Sequence, residues 1–192
     1  MSGDGVMGKI VVYDLVSENN VRLVSRELRD KVRTVRVLCT EKLHSLGVMC
    51  TESVILVSPS CENEIEDAIN YVNRKYEELF RELEAYGVSI EWRPIIRVLD
   101  TTVEQFEAFR ELAERQIVSR IDETVERINQ ILESLVEITE TAQRRRIRAR
   151  LLDLRREWRR LREATTQLQL RSASDVEYVL ELIDQALSRL EE

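Results

Sequence analysis

The sequence predicts an α+β fold: a small N-terminal sheet packed with helices, followed by a long helical module of coiled-coil or hairpin type. Three observations lead there. The β-rich runs KIVVYDL (Lys9–Leu15) and ESVILVS (Glu52–Ser58) are separated by amphipathic stretches. All five Gly and both Pro fall before Thr101. Beyond Asp100, apolar residues repeat at alternating steps of three and four, the spacing of a buried helix seam. The expected organisation is a loose tail (1–8), an α+β head (9–100) and a helical oligomerisation module (101–192).

In the head, Lys9–Leu15 is the first strand, and Ser17 or Asn19 is placed to cap a long helix ending near Gly47. Val21, Val24, Leu28, Val32, Val35, Cys39, Leu43 and Leu46 line its apolar side. The β-branched density of Val32–Leu38 leaves a strand open for part of it. Glu52–Ser58 is the clearest strand. A helix from about Cys61 to Tyr86 follows, with Glu62, Glu64, Glu66 and Asp67 at its dipole-favoured start and Gly87 as its stop. Ser89–Arg93 and Ile95–Leu99 read as strand pieces interrupted by Pro94, which marks an edge or a bulge.

In the helical half, Thr102 is placed to cap the first helix. One seam comprises Ile117, Ile121, Thr124, Ile128, Ile131, Leu135 and Ile138; a second comprises Ile147, Leu151, Leu154, Trp158, Leu161, Thr165 and Leu168. These are expected to join copies of the chain as a dimer or tetramer. The two registers are out of phase across Thr139–Arg146, so a turn is expected there, with one continuous helix as the alternative. Ser174-Asp175-Val176-Glu177 reads as a capping box opening a last helix.

The net charge of −7 conceals segregation. All 29 basic residues except Lys9, Lys31, Lys42 and Lys75 are Arg, the side chain suited to phosphate forks and ion-pair networks, the latter also common at high temperature. Arg22, Arg26, Arg29, Arg33 and Arg36 step by four and three along one helix flank, and residues 17–36 hold six basic against three acidic groups. Without anionic partners these guanidiniums would repel one another; phosphates would neutralise them, as would pairing with the acidic helix that follows. Residues 144–162 hold ten Arg against two acids, whereas 104–140 hold ten acids against four Arg, so antiparallel pairing of the two segments is expected. Trp92, Arg93 and Arg97, with Tyr13 if its strand lies alongside, form the best small constellation for stacking on a base and holding a phosphate.

Chemistry of other kinds finds little support. The chain lacks GxxxxGK[ST], GxGxxG, GxSxG and HExxH, and His44 is its only His. Cys39, Cys50 and Cys61 form no CxxC pair, so free thiols are expected, with no metal and no cofactor. Cys61, at a helix start, is the one thiol placed for reactivity. No apolar run suits a secretory signal or a membrane span, so a cytoplasmic protein is expected.

The element order, with strands in Lys9–Leu15, Glu52–Ser58 and Ser89–Leu99 and heptads from Ile117 to Leu168, resembles the archaeal ThermoDBP-related single-stranded DNA-binding proteins. The resemblance implies a head with a cleft of apolar floor and basic rims, and a C-terminal part that makes the oligomer. Trp92 and Tyr13 would lie in the floor; Arg93, Arg97 and the Arg22–Arg36 stripe would form the rim. The expected function is sequence-tolerant binding of single-stranded DNA, with RNA left open, by a non-enzymatic homo-oligomer. The alternative is a coiled-coil scaffold that binds another protein and has no nucleic-acid role.

Overall fold

The structure, a computed structural model, describes residues 8–18, 25–88, 90, 92–135 and 141–190. Its elements are β1 (Lys9–Asp14), α1 (Arg26–His44), β2 (Val48–Thr51), β3 (Val54–Val57), α2 (Glu62–Ala85), β4 (Ile95–Asp100), α3 (Val103–Ser134), α4 (Thr141–Gln167) and α5 (Ala173–Arg189). The fold is α+β. The chain forms two compact units, Met1–Phe109 and Arg110–Glu192, with the boundary inside α3.

In the first unit the strands form one antiparallel sheet of order β2-β3-β1-β4. β1 is central and apolar on both faces. Val11, Tyr13, Leu15, Ile55 and Val57 share a core with Leu28, Val32, Cys39 and Leu43 of α1 and Ile65, Val72, Tyr76 and Leu83 of α2. Each such side chain, fully buried, contributes about 1.5–3 kcal/mol. Ile10, Cys50 and Leu56 are buried too, and the first turns of α3 approach them. The Cys50 thiol donates to the Phe109 carbonyl (3.3 Å), and the Phe106 ring occupies the space a Cβ at Gly8 would need.

α1 starts later than the sequence predicts. Ser25, not Ser17 or Asn19, caps it by accepting from the Leu28 N–H (3.3 Å); Asn19 and the stretch to Val24 lie outside the described residues. Val32–Leu38 is helical throughout, because the helix buries Val32 and Cys39 at helical spacing against the sheet. Gly47 does more than stop a helix: a Cβ there would lie 2.1 Å from the Leu56 carbonyl oxygen. That close approach starts β2, a strand the sequence reading omitted, which pairs with β3 around Glu52-Ser53 with an irregularity between Met49 and Thr51. α2 ends as expected at Gly87 (φ 72°), where the Gly87 and Val88 N–H groups donate to the Glu84 and Leu83 carbonyls. Trp92, Arg93 and Pro94 are not in a strand; Ser89 and Glu91 lie outside the described residues. The strand begins after Pro94 and is an edge. Thr102 caps α3 in a reciprocal box with Gln105.

In the second unit α3 and α4 run antiparallel, as Arg110–Gln169 and Arg120–Glu157 contacts show, and α4 packs antiparallel on α5 through Arg155–Asp184 (2.8 Å) and Arg162–Glu177 (3.3 Å). A hairpin therefore replaces the continuous helix; residues 136–140, Ile138 among them, lie outside the described residues. Ile117, Ile128, Leu135, Leu151, Trp158, Leu161 and Leu168 are buried, and Ile121, Ile131 and Leu154 half-buried, within one chain. Val176, Val179 and Ile183 of α5 are buried in the same unit. Among the ion pairs of the described residues, Arg155 and Arg162 of α4 meet acids of α5, and one α3–α4 pair, Arg120–Glu157, has its signs reversed from the expected sense.

The last helix opens differently as well. Its N-cap is Ser172, and the Glu114 carboxylate of α3 accepts from the Arg171 and Ser172 N–H groups, doing the work expected of the Ser174 box. α4 ends in the same double-bonded turn as α2, with the Gln169 and Leu170 N–H groups on the Thr166 and Thr165 carbonyls, but with Gln169 (φ 52°) where Gly is favoured.

Two predictions follow from these backbone constraints. Gly47→Ala should destabilise the protein by about 1–3 kcal/mol, since β3 must move, and denaturant titration reads the loss. Gln169→Gly should raise stability by roughly 1 kcal/mol, because the left-handed backbone is costly for a residue with a Cβ. An unchanged midpoint in either variant would contradict the geometry given for that turn.

Candidate nucleic-acid interface

α1 buries Leu28, Val32, Cys39 and Leu43, and that spacing turns Arg26, Arg29, Arg33 and Arg36 to solvent. Arg26 reaches Asp30 at 4.0 Å, a loose helical pair. The Arg29 and Arg33 side chains are exposed and form no ion pair with another described residue. The acidic α2 does not neutralise the stripe: the cation that crosses to it is Lys31, on the helix side of α1, which pairs with Glu82. That hydrogen bond raises the Lys31 pKa. Arg36 lies close enough to Tyr13 and Tyr76 for its charge to favour both phenolates. Arg22 lies outside the described residues.

Two exposed aromatic rings belong to the same unit. Tyr86, at the end of α2, is 61% exposed, with the Lys31 ammonium 5.9 Å from its ring centre. Trp92 is 52% exposed, and the neighbouring Arg93 guanidinium lies 4.4 Å above the Phe80 ring. Lys31 of α1 and Arg93 thus both meet the C-terminal part of α2. The candidate residues are a ridge of arginines on α1, the Tyr86 ring just past α2 and the Trp92 ring in the segment before β4.

Two residues expected to share the cleft lie on opposite faces of the sheet. Tyr13 does neighbour β4, opposite Ile96, but its ring points into the helix-covered core. Its hydroxyl donates to the Glu52 carbonyl (2.8 Å) and shares a 2.6 Å hydrogen bond with His44 Nε2; burial raises its pKa. Tyr13 is therefore a core residue, not a stacking floor. Arg97 is exposed opposite Val12, on the other face of the sheet from Tyr13. One surface cannot hold both. Tyr86 and Lys31 were missed because their neighbourhood depends on how α1 packs on α2. The available signal was an aromatic residue placed directly before a helix-ending Gly.

Of the 144–162 arginines, Arg155 and Arg162 are engaged by α5, whereas Arg145, Arg146, Arg150, Arg159 and Arg160 are exposed. Trp158 is fully buried, with the Arg120 guanidinium 5.6 Å from its ring, so it belongs to the core. Among the described residues no group of three or more His, Cys, Asp or Glu is arranged to hold a metal ion, and no helix is long and apolar enough to cross a membrane.

No family model matches the chain, and no curated protein or solved structure matches it.

The three thiols are free. Burial pushes Cys39 and Cys50 up to about 11, so neither ionises near neutrality. Both should resist iodoacetamide at mildly alkaline pH in the native protein and react on unfolding. Prompt native labelling of either would contradict the packing around α1 and β2.

Proposed function

We propose that this protein binds single-stranded nucleic acid, without catalysis and with little sequence preference, through the outward face of α1 and the exposed rings of Tyr86 and Trp92. The observation that carries the reading is the stripe Arg26, Arg29, Arg33 and Arg36, exposed and left without compensation by α2. Guanidiniums so placed suit successive phosphates of a flexible strand, and the exposed Trp92 and Tyr86 supply faces for base stacking. The acidity elsewhere in the chain leaves this face as a local positive feature.

The reading sets magnitudes. About four phosphate contacts on a single strand give a log–log salt slope of roughly −3, and each stacked base is worth about 1–3 kcal/mol. Fluorescence anisotropy of labelled oligo-dT should show binding that weakens with salt at about that slope. Arg29→Glu with Arg33→Glu should remove at least tenfold of the affinity while leaving the thermal midpoint in place. Trp92→Ala should weaken binding with little change in slope. Comparison with oligo-U separates DNA from RNA preference. Absence of binding at low salt, or binding indifferent to the double charge reversal, overturns the reading and leaves the scaffold alternative.

A further inference from the structure

The two edges of the sheet are unequal. β2 is four residues long, is irregular between Met49 and Thr51, and buries Val48 and Cys50. Short, irregular edges of this kind resist pairing. β4 is six residues long, pairs with β1 without a bulge from Lys9↔Asp100 to Asp14↔Ile95, and carries no Pro or Lys. Ile95 is 49% exposed, Val98 37% and Leu99 51%. Among the described residues, β1 is the one strand paired with it.

The hydrogen-bond phase of this edge is fixed. The Thr101 N–H donates to the Gly8 carbonyl (3.1 Å), and the Tyr13 N–H donates to the Ser53 carbonyl (3.1 Å). Even-numbered residues of β1 therefore bond β4 and odd-numbered ones bond β3, because antiparallel partners alternate. On β4 this commits Ile95, Arg97 and Leu99 to β1. The N–H and C=O groups of Ile96, Val98 and Asp100 point to the open edge.

We propose that β4 is a self-association edge, pairing antiparallel with β4 of a second copy about a two-fold axis through Val98. Residues opposite each other across an antiparallel pair share a sheet face, so a two-fold axis normal to the sheet must pass through a residue. An axis through Arg97 sets that arginine against itself and engages Ile96 with Val98 while leaving Asp100 unpaired. The axis through Val98 places Val98 on Val98, Arg97 on Leu99 and Ile96 on Asp100. In that register all three outward residues exchange both their bonds, about six in all. No like charges then stand opposite one another, and the Arg97 stem covers Leu99. A second copy satisfies this pattern because the strand is complementary to itself in that register. The protected β2 edge stops further growth, so the pairing closes at two sheets. A strand edge covers less than the ~1,200 Å² of a standard interface, which makes the association reversible with concentration.

The test is sedimentation equilibrium of the full chain, without nucleic acid, over micromolar concentrations, with Val98→Pro and Val98→Lys as variants. Proline at 98 removes an N–H that faces outward and no bond to β1, so the fold persists, as circular dichroism checks. The wild-type mass should be twice that of either variant. In hydrogen exchange, the Ile96, Val98 and Asp100 amides should lose protection on dilution while Arg97 and Leu99 keep theirs. A wild type that stays monomeric, or an assembly that both variants leave intact, overturns the proposal. The outcome is independent of the nucleic-acid reading, because no residue of the α1 stripe is altered.

Discussion

The first unit depends on β1. All six of its residues pair with β4 and Lys9–Val12 pair also with β3, with α1 and α2 covering one face and Phe106 close to the other at Gly8. A strand in that position must be apolar through its middle, and Ile10–Tyr13 are; its charged residues, Lys9 and Asp14, stand at the two ends. Lys9 keeps its charge at the strand end by meeting both Asp100 of β4 and Glu62 of α2 at 2.9 Å, and those bonds raise its pKa. One cation thus joins the sheet edge to the start of a helix. Because its pKa is raised, this contribution is present at neutrality and fades only as strongly alkaline pH discharges the amine.

The arginine bias divides into two populations with different physics. Arg120, Arg155 and Arg162 are consumed inside the helical bundle, where each meets a carboxylate of another helix. Such pairs orient the helices more than they stabilise them, since partly exposed ion pairs are worth little. The stripe on α1 is different. Its members face water with one loose local pair, and their mutual repulsion is tolerable only where solvent and salt screen it. A surface built in that way favours counter-charge, whereas the three arginines of the bundle already have theirs.

The seam residues show how one pattern serves two outcomes. Alternating steps of three and four require that Ile117, Ile128, Leu151 and Trp158 be buried against other helices, and they are. The pattern does not say whose helices. Here α3 turns back through α4 and is joined by α5, and these side chains are buried within one chain.

Much of the architecture was legible in the residues because local chemistry decided it. The strand Val54–Val57, the bounds of α2, the Gly87 turn, the Thr102 cap and the edge position after Pro94 each follow from side chains within a few positions of one another. What only the tertiary structure decided depends on groups far apart in sequence. β2 forms because Gly47 lets the chain pass within contact of Leu56; α5 starts where Glu114 caps it; Tyr13 is withdrawn from the surface by His44 and Glu52. The same holds for the candidate site. The helical spacing of the α1 arginines was readable, but their freedom from α2, and the nearness of Tyr86 to Lys31, arise from the angle at which two helices pack. Sequence determines which faces are apolar and which are charged; packing determines which of those faces meet, because contact is set by the pairing of surfaces and not by either surface alone.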